Sequence, residues 1–216
     1  YLNYNFFVKR DQRKFGLSSL YIKDNIYQLA GDFTQFLTEE YKNFILDIIQ
    51  TGLDRSEKYP QEPFTVGAKY SRKDVVRLLN WEKDESSTVY GYKIKHGTCP
   101  IFVKYHKADN ITETTQYKDG FLTNKVFHWY SRSNRSFKSK EVIDIIQSNQ
   151  TGLILYLFVK KEDGEGSDFY YLGPVSYLED SAIETKMEDG KTPVVTMNFE
   201  LVNEVDSALY EYLTKK

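Results

Sequence analysis

The uninterrupted apolar run Leu153-Ile-Leu-Tyr-Leu-Phe-Val159 constrains the fold more than any other stretch. It contains no turn residue and gives way to a charged, glycine-bearing turn over 161–168, so it reads as a buried strand. A buried strand needs neighbours, and the chain offers them. Val89-Tyr-Gly-Tyr-Lys-Ile94 and Pro100-Ile-Phe-Val-Lys-Tyr-His106 read as strands joined around His96-Gly97. Phe169-Tyr-Tyr-Leu-Gly173 and the alternating Pro193-Val-Val-Thr-Met-Asn-Phe-Glu-Leu201 read as two more. The aromatic fraction of 16%, with 18 Tyr and 14 Phe, leans the same way, because these rings favour strands.

The first quarter of the chain is different. Phe6-Phe7-Val8 opens as a strand or as a join to something upstream. Leu17, Leu20, Tyr21, Tyr27 and Leu29 suggest a short helix closed by Gly31. Asp32 is placed to cap a longer helix carrying Phe33, Phe36, Leu37, Tyr41, Phe44, Ile45, Ile48 and Ile49, with Gly52 as its stop. Residues 53–63, with Pro60 and Pro63, read as a linker. Ser71 and Asp74 are spaced to cap a short helix over Val75–Leu79. Residues 141–147 form a short helix or strand, and 206–213 a helical tail. The expected architecture is therefore α+β: a helical arm over 1–60, then a mostly antiparallel β domain over 61–216.

Function is concentrated between Tyr117 and Lys140. This stretch combines Tyr117, Asp119, Trp129 and Ser131 with Arg132, Arg135, Lys138 and Lys140, and no acid lies between Tyr130 and Lys140. Rings stack on bases, carboxylates accept from base amino groups, and cations with hydroxyls hold phosphates. The overall charge of −2 gives no hint of this. Residues 61–140, however, hold 15 Lys and Arg against 8 Asp and Glu, which leaves the remainder acidic. Such segregation marks a phosphate-binding face. Cys99 alone cannot form an internal disulfide, which suits a reducing cytoplasm. It reads as a small buried hydrophobe. No apolar stretch is long enough to span a bilayer, so no membrane partner is expected. The chain begins at Tyr1 without Met and reads as a fragment.

Metal and catalytic chemistry find no support. His96, His106 and His128 lack zinc spacing, and no P-loop, nucleophile–base arrangement or catalytic carboxylate pair is visible. No cofactor is expected in this fragment.

Several segments together resemble a known family. They are Tyr70-Ser-Arg-Lys-Asp74 with Leu78-Leu-Asn-Trp81, Ile101-Phe-Val-Lys-Tyr-His-Lys107, Tyr117-Lys-Asp119-Gly-Phe121, Phe127-His-Trp129-Tyr-Ser131, Leu157-Phe-Val-Lys160 and Phe169-Tyr-Tyr-Leu-Gly173. Their order is similar to that in the C-terminal domain of helicase-containing type IV, modification-dependent restriction enzymes of bacteria. The resemblance implies an SRA/PUA-like curved antiparallel β barrel that flips a 5-methyl- or 5-hydroxymethylcytosine out of double-stranded DNA. It implies helicase and nuclease domains in the parent chain, with ATP and a divalent metal there, and a cytoplasmic, bacterial setting.

Under that reading Asp119 faces the cytosine amino group, although an Asp before Gly120 is equally a turn residue. Tyr117 and Trp129 are candidate stacking walls, against the commoner use of a ring as core. Ser131 bonds the base edge or a phosphate, or only caps a turn. Tyr90 and Tyr105 are further pocket candidates. Arg132, Arg135, Lys138 and Lys140, with a second patch of Arg72, Lys73 and Arg77, suit the DNA backbone. The competing reading is a coupling domain that docks on a motor through the 33–49 helix, without base recognition.

Overall fold

The computed structural model describes residues 4–24, 26–58, 62–106 and 118–215. They form two compact units, Tyr1–Pro63 with Asn80–Asp84, and Phe64–Leu79 with Glu85–Lys216. No described helix is long and apolar enough to cross a membrane.

The first unit departs from expectation in detail. Phe6-Phe7-Val8 is not a strand but the lead-in to helix α1 (Lys9–Phe15), with Phe7 and Phe15 packed edge to face. Residues 17–29 hold a hairpin, β1 (Leu20–Lys23) against β2 (Ile26–Leu29), where a helix was expected. Asp24, at φ +50°, starts the reversal, a conformation that Asp tolerates better than most residues. Tyr21, Ile22, Ile26 and Tyr27 are strand formers, so local preference overrides the helical spacing of the leucines. Asp32 lies inside the short α2 (Gly31–Thr34) and caps nothing longer. The long helix α3 (Glu39–Lys58) begins later. The Thr38 hydroxyl caps it, accepting from the Tyr41 N–H at 3.2 Å. Gly52 sits inside α3, at an interior cost of about 1 kcal/mol that a helix of this length absorbs. Residues 53–58 are therefore helix rather than linker.

The second unit is built on a mixed sheet. Its strands are β3 (Lys69–Ser71), β4 (Thr98–Lys104), β5 (Gly120–Phe121), β6 (Val126–Tyr130), β7 (Ile154–Lys160), β8 (Asp168–Tyr177), β9 (Ile183–Lys186) and β10 (Pro193–Leu201). The path runs β4-β7-β8-β10-β6-β5, with β3 on β8 and β9 on β10. The α+β class is as expected; the sheet differs from an antiparallel barrel in two ways. β4 and β7 pair in parallel, from Thr98↔Ile154 to Lys104↔Lys160. Among the described residues no pairing joins β4 to β5, so the path stays open. Residues 89–94 contribute only isolated bridges, Tyr92↔Ile101 and Lys95↔Thr98, rather than a strand. His96 and Gly97, both at positive φ, form the expected tight turn. Helices α4 (Arg72–Leu78), α5 (Lys140–Ile146), α6 (Ser148–Thr151) and α7 (Ser207–Thr214) flank the sheet. The Ser71/Asp74 capping box at α4 is present in full, and Asp206 caps α7.

β7 is buried on both faces. Leu155, Leu157 and Val159 enter an aliphatic core with Ile101, Val103, Val195, Met197 and Phe199. Tyr156 and Phe158 enter an aromatic layer, where Phe64 meets Tyr70, Tyr156, Phe158 and Tyr171 at 5.1–5.3 Å. β8 serves both layers by changing phase. Leu172 and Val175 point to the aliphatic core, although three residues apart, because the β7–β8 register slips between Leu157↔Gly173 and Phe158↔Tyr171. Gly173 makes the slip at φ +123°. Gly173→Ala should therefore cost about 1–3 kcal/mol through backbone strain. Each kcal/mol should lower the melting temperature by about 2–4 °C in a thermal scan.

Candidate functional site

A concavity of about 750 Å³ lies where the strand path fails to close. One wall is β4, through Phe102, Val103 and Lys104. The facing wall is the end of β6 and the residues after it, Trp129 to Ser133 with Arg135; Asp119, just before β5, stands beside them. Arg72 from α4 and segment 86–92 complete the lining. β4 is one end of the strand path, and Asp119 directly precedes β5, the other. The volume is within the range of small-molecule and nucleobase-sized sites.

Asp119 lines this cavity, and its Oδ1 accepts the Tyr130 N–H at 2.8 Å. The bond replaces a ladder bond where β6 ends. A carboxylate has several acceptor sites. Ser131 is used differently. It is 1% exposed. Its hydroxyl accepts from the Val195 N–H at 2.9 Å and donates to the Arg132 carbonyl at 3.2 Å. That hydroxyl is a backbone splice between β6 and β10.

The rings also divide. Trp129 is only 3% exposed and packs between Tyr92, at 5.0 Å, and Phe199, at 5.3 Å. It is cavity floor, without a free face for stacking. Tyr90, 69% exposed, and the half-buried Tyr130 also line the cavity. Tyr105 lies outside the lining and packs toward Gly120 and Phe121. Tyr117 falls outside the described residues.

The basic residues are more constrained than an acid-free stretch suggests. Glu141, at the start of α5, gathers two of them. Its Oε1 accepts from Arg132 Nη2 at 2.8 Å, from Arg135 Nε and from the Tyr92 hydroxyl at 2.8 Å. The Arg132 guanidinium also lies 4.5 Å over the Tyr92 ring. Lys140 pairs with Asp144 on the exposed face of α5. Lys138 is exposed and outside the lining. Of the second patch, Arg72 reaches the cavity and lies over Phe102 and Phe169. Arg77 is 3.8 Å from Asp74, and neither Arg77 nor Lys73 lines the cavity. Sequence reasoning missed Tyr92, Phe102, Lys104 and Glu141. The signal for Glu141 was present: it is the first acid after the basic run.

Among the described residues no group of His, Cys, Asp and Glu is arranged to hold a metal ion. His128 Nδ1 instead contacts Asn198 Oδ1 at 2.7 Å.

A family model described as a domain of unknown function (DUF3427) matches residues 64–213. The chain belongs to the DUF3427 family. That match spans the whole lining of the cavity. A second model, described as a domain of unknown function (DUF8090), matches residues 1–61. No curated protein matches the chain. Solved structures similar to this DUF3427 chain include the SUVH5 SRA–hemimethylated CG DNA complex, at 13% identity and TM-score 0.43, covering 68% of this chain and 93% of that one. Another is the DNA modification-dependent restriction endonuclease AspBHI, at 14% identity and TM-score 0.43, covering 67% and 78%. A third is Arabidopsis thaliana SUVH6 in complex with SAM, at 11% identity and TM-score 0.44, covering 67% and 27%. At these scores the likenesses decide nothing, and the functional reading rests on the cavity.

Burial alone would push the Glu141 carboxyl up, but hydrogen bonds from Arg135, Arg132 and Tyr92 outweigh it and hold the group below the usual carboxylate range. A carboxylate depressed in the folded state contributes stability that is complete above its unfolded value, about 4.3. That contribution is lost as pH falls through the lower folded value. The melting difference between wild type and Glu141→Gln should therefore be flat from about pH 8 to 5 and shrink below about pH 4.

Proposed function

We propose that this chain is a DNA-binding module that takes an extruded 5-methylcytosine or 5-hydroxymethylcytosine into the cavity between β4 and β6. The supporting observation is the composition of that cavity. It carries one carboxylate, Asp119, with Tyr90, Tyr92, Phe102 and Tyr130 around it and Arg72, Lys104, Arg132 and Arg135 at its walls. A lone acceptor suits the cytosine amino group, which thymine lacks. Aromatic faces offset the few kcal/mol of unstacking, at about 1–3 kcal/mol per stacked base. Cations hold the strand from which the base leaves.

The module serves, on this reading, as the target-recognition part of an NTP-dependent type IV restriction endonuclease. The nuclease and helicase, with their ATP and divalent metal, belong to the parent chain, and catalysis is theirs. The setting is the bacterial cytoplasm. The sequence resemblance over residues 64–201 supports this context. Residues 1–60 then act as the coupler and 61–216 as the reader. A second reading has one observation in its favour. α3 leaves Phe44, Ile48, Ile49 and Leu53 exposed, as a helix that docks on a motor would. Docking and base recognition are compatible; docking alone is the alternative.

Titration of the full chain with duplexes that differ by one methyl group separates them. The reader proposal expects tighter binding of the modified duplex, and a rise in 2-aminopurine fluorescence when the probe sits beside the modified cytosine. Equal binding to both duplexes removes base recognition, and no binding to either leaves docking. Asp119→Asn retains an oxygen for the Tyr130 N–H but loses the charged acceptor. It should weaken binding of the modified duplex by roughly 5- to 150-fold, the equivalent of one base-edge contact, with little change in melting temperature.

A further inference from the structure

The partition between two cavities is a charge cluster whose donors all converge on one atom. Tyr92 and Arg132 line both the main cavity and a neighbouring one of about 540 Å³, and Glu141 lines the second. Glu141 Oε1 accepts from Arg132, Arg135 and Tyr92, all three. Arg132 is fixed twice, by this pair and by the Tyr92 ring 4.5 Å beneath it. Its buried Nε has no partner. Arg135 is fixed on the other side by the carbonyls of Ser133 and Asn134, at 3.4 and 3.2 Å. Two guanidinium groups against one carboxylate leave an excess of one positive charge, on side chains with little freedom to move.

We propose that Glu141 is the positioning residue of the site. It presets Arg132 and Arg135 as a two-guanidinium clamp on the phosphate beside the extruded nucleotide. This rests on the reader proposal and adds to it a residue and a ligand atom. A phosphodiester brings the one negative charge that the cluster lacks. Guanidinium groups suit it because their planar forks pair with phosphate oxygens, and a fork already held against a carboxylate and a ring loses little freedom on binding. The bound nucleotide places its base in the main cavity and its phosphate at the partition. Glu141 lowers the raw attraction for DNA and sharpens the geometry. Affinity and discrimination therefore respond to its loss in opposite directions.

The test is salt-dependent binding of full-length wild type and Glu141→Gln to matched modified and unmodified duplexes, with melting temperatures taken alongside. Loss of one negative charge frees one cation for phosphate, so log affinity against log salt should steepen by about 0.9. Binding to unmodified duplex should then strengthen at low salt, losing about 3- to 4-fold more affinity than wild type between 50 and 200 mM. The modified-to-unmodified preference should fall several-fold. A purely structural Glu141 lowers the melting temperature but leaves slope and preference unchanged, and that result overturns the clamp. If Glu141→Gln does not fold, Arg132→Lys decides. It keeps the charge and loses the fork, so an unaltered slope with reduced preference supports the clamp, and unaltered preference overturns it. Wild type that binds both duplexes equally refutes the reader proposal, while the slope in Glu141→Gln still decides whether the cluster meets phosphate. Wild type that binds no DNA refutes both.

Discussion

Burial of β7 on both faces is the constraint from which the rest of the second unit follows. Its alternate side chains divide between an aliphatic core and an aromatic layer, so the strand cannot lie at an edge. It needs a partner on each side, and it has β4 in parallel and β8 antiparallel. A parallel neighbour cannot be reached by a tight turn. The chain between β4 and β7 must travel, and on that journey it lays down β5, β6 and α5. The residues that line the cavity come from within this excursion, Asp119 and Trp129 to Ser133 with Arg135, and from the chain before it. Even Lys160, at the end of β7, is kept in place by the layer it enters, donating to the Gly166 carbonyl at 3.2 Å and lying over Phe169.

An open strand path leaves backbone groups at its ends that a closed barrel would pair. Two side chains satisfy backbone groups where β6 runs out. Asp119 takes the N–H of Tyr130, and Ser131 takes the N–H of Val195. Ser131 is almost fully buried, and its hydroxyl both accepts and donates within the backbone. Asp119 is fixed by the backbone beside the cavity.

The long-range order of the sheet was partly legible and the local geometry unevenly so. The runs that became β7, β8 and β10 announced themselves because burial imposes apolar or alternating patterns that nothing else in the chain imitates. The capping box at Ser71 was legible for a similar reason, being a contact three residues apart. The hairpin at 20–29 was misread because leucines at helical spacing are weaker evidence than a turn residue between strand formers. The helix stop at Gly52 was misread because a glycine inside a long helix costs too little to end it. In the site, Asp119 and Arg132 were visible as types of residue, but their environments were not. Trp129 looked like a platform because an indole in a basic stretch invites that reading; only the packing of Tyr92 and Phe199 makes it floor. Glu141 was overlooked because its partners lie six, nine and forty-nine residues away, across a loop and a strand. No periodicity connects such positions.

Energetics explain why a site of this kind needs paired rather than bare cations. One methyl group is worth roughly 0.8 kcal/mol on burial, less than the cost of unstacking the base that carries it. A reader that relied on charge alone would hold every duplex nearly equally, since phosphate contacts carry no sequence information. Discrimination requires that phosphate attraction be too weak to retain the wrong DNA and placed so that it is fully realised only with the base inside the cavity. A carboxylate at the root of two arginines meets both conditions. It cancels half of their charge and fixes their direction. The same logic makes an overall charge of −2 compatible with the proposed DNA binding: what matters is the local excess left at the partition after pairing.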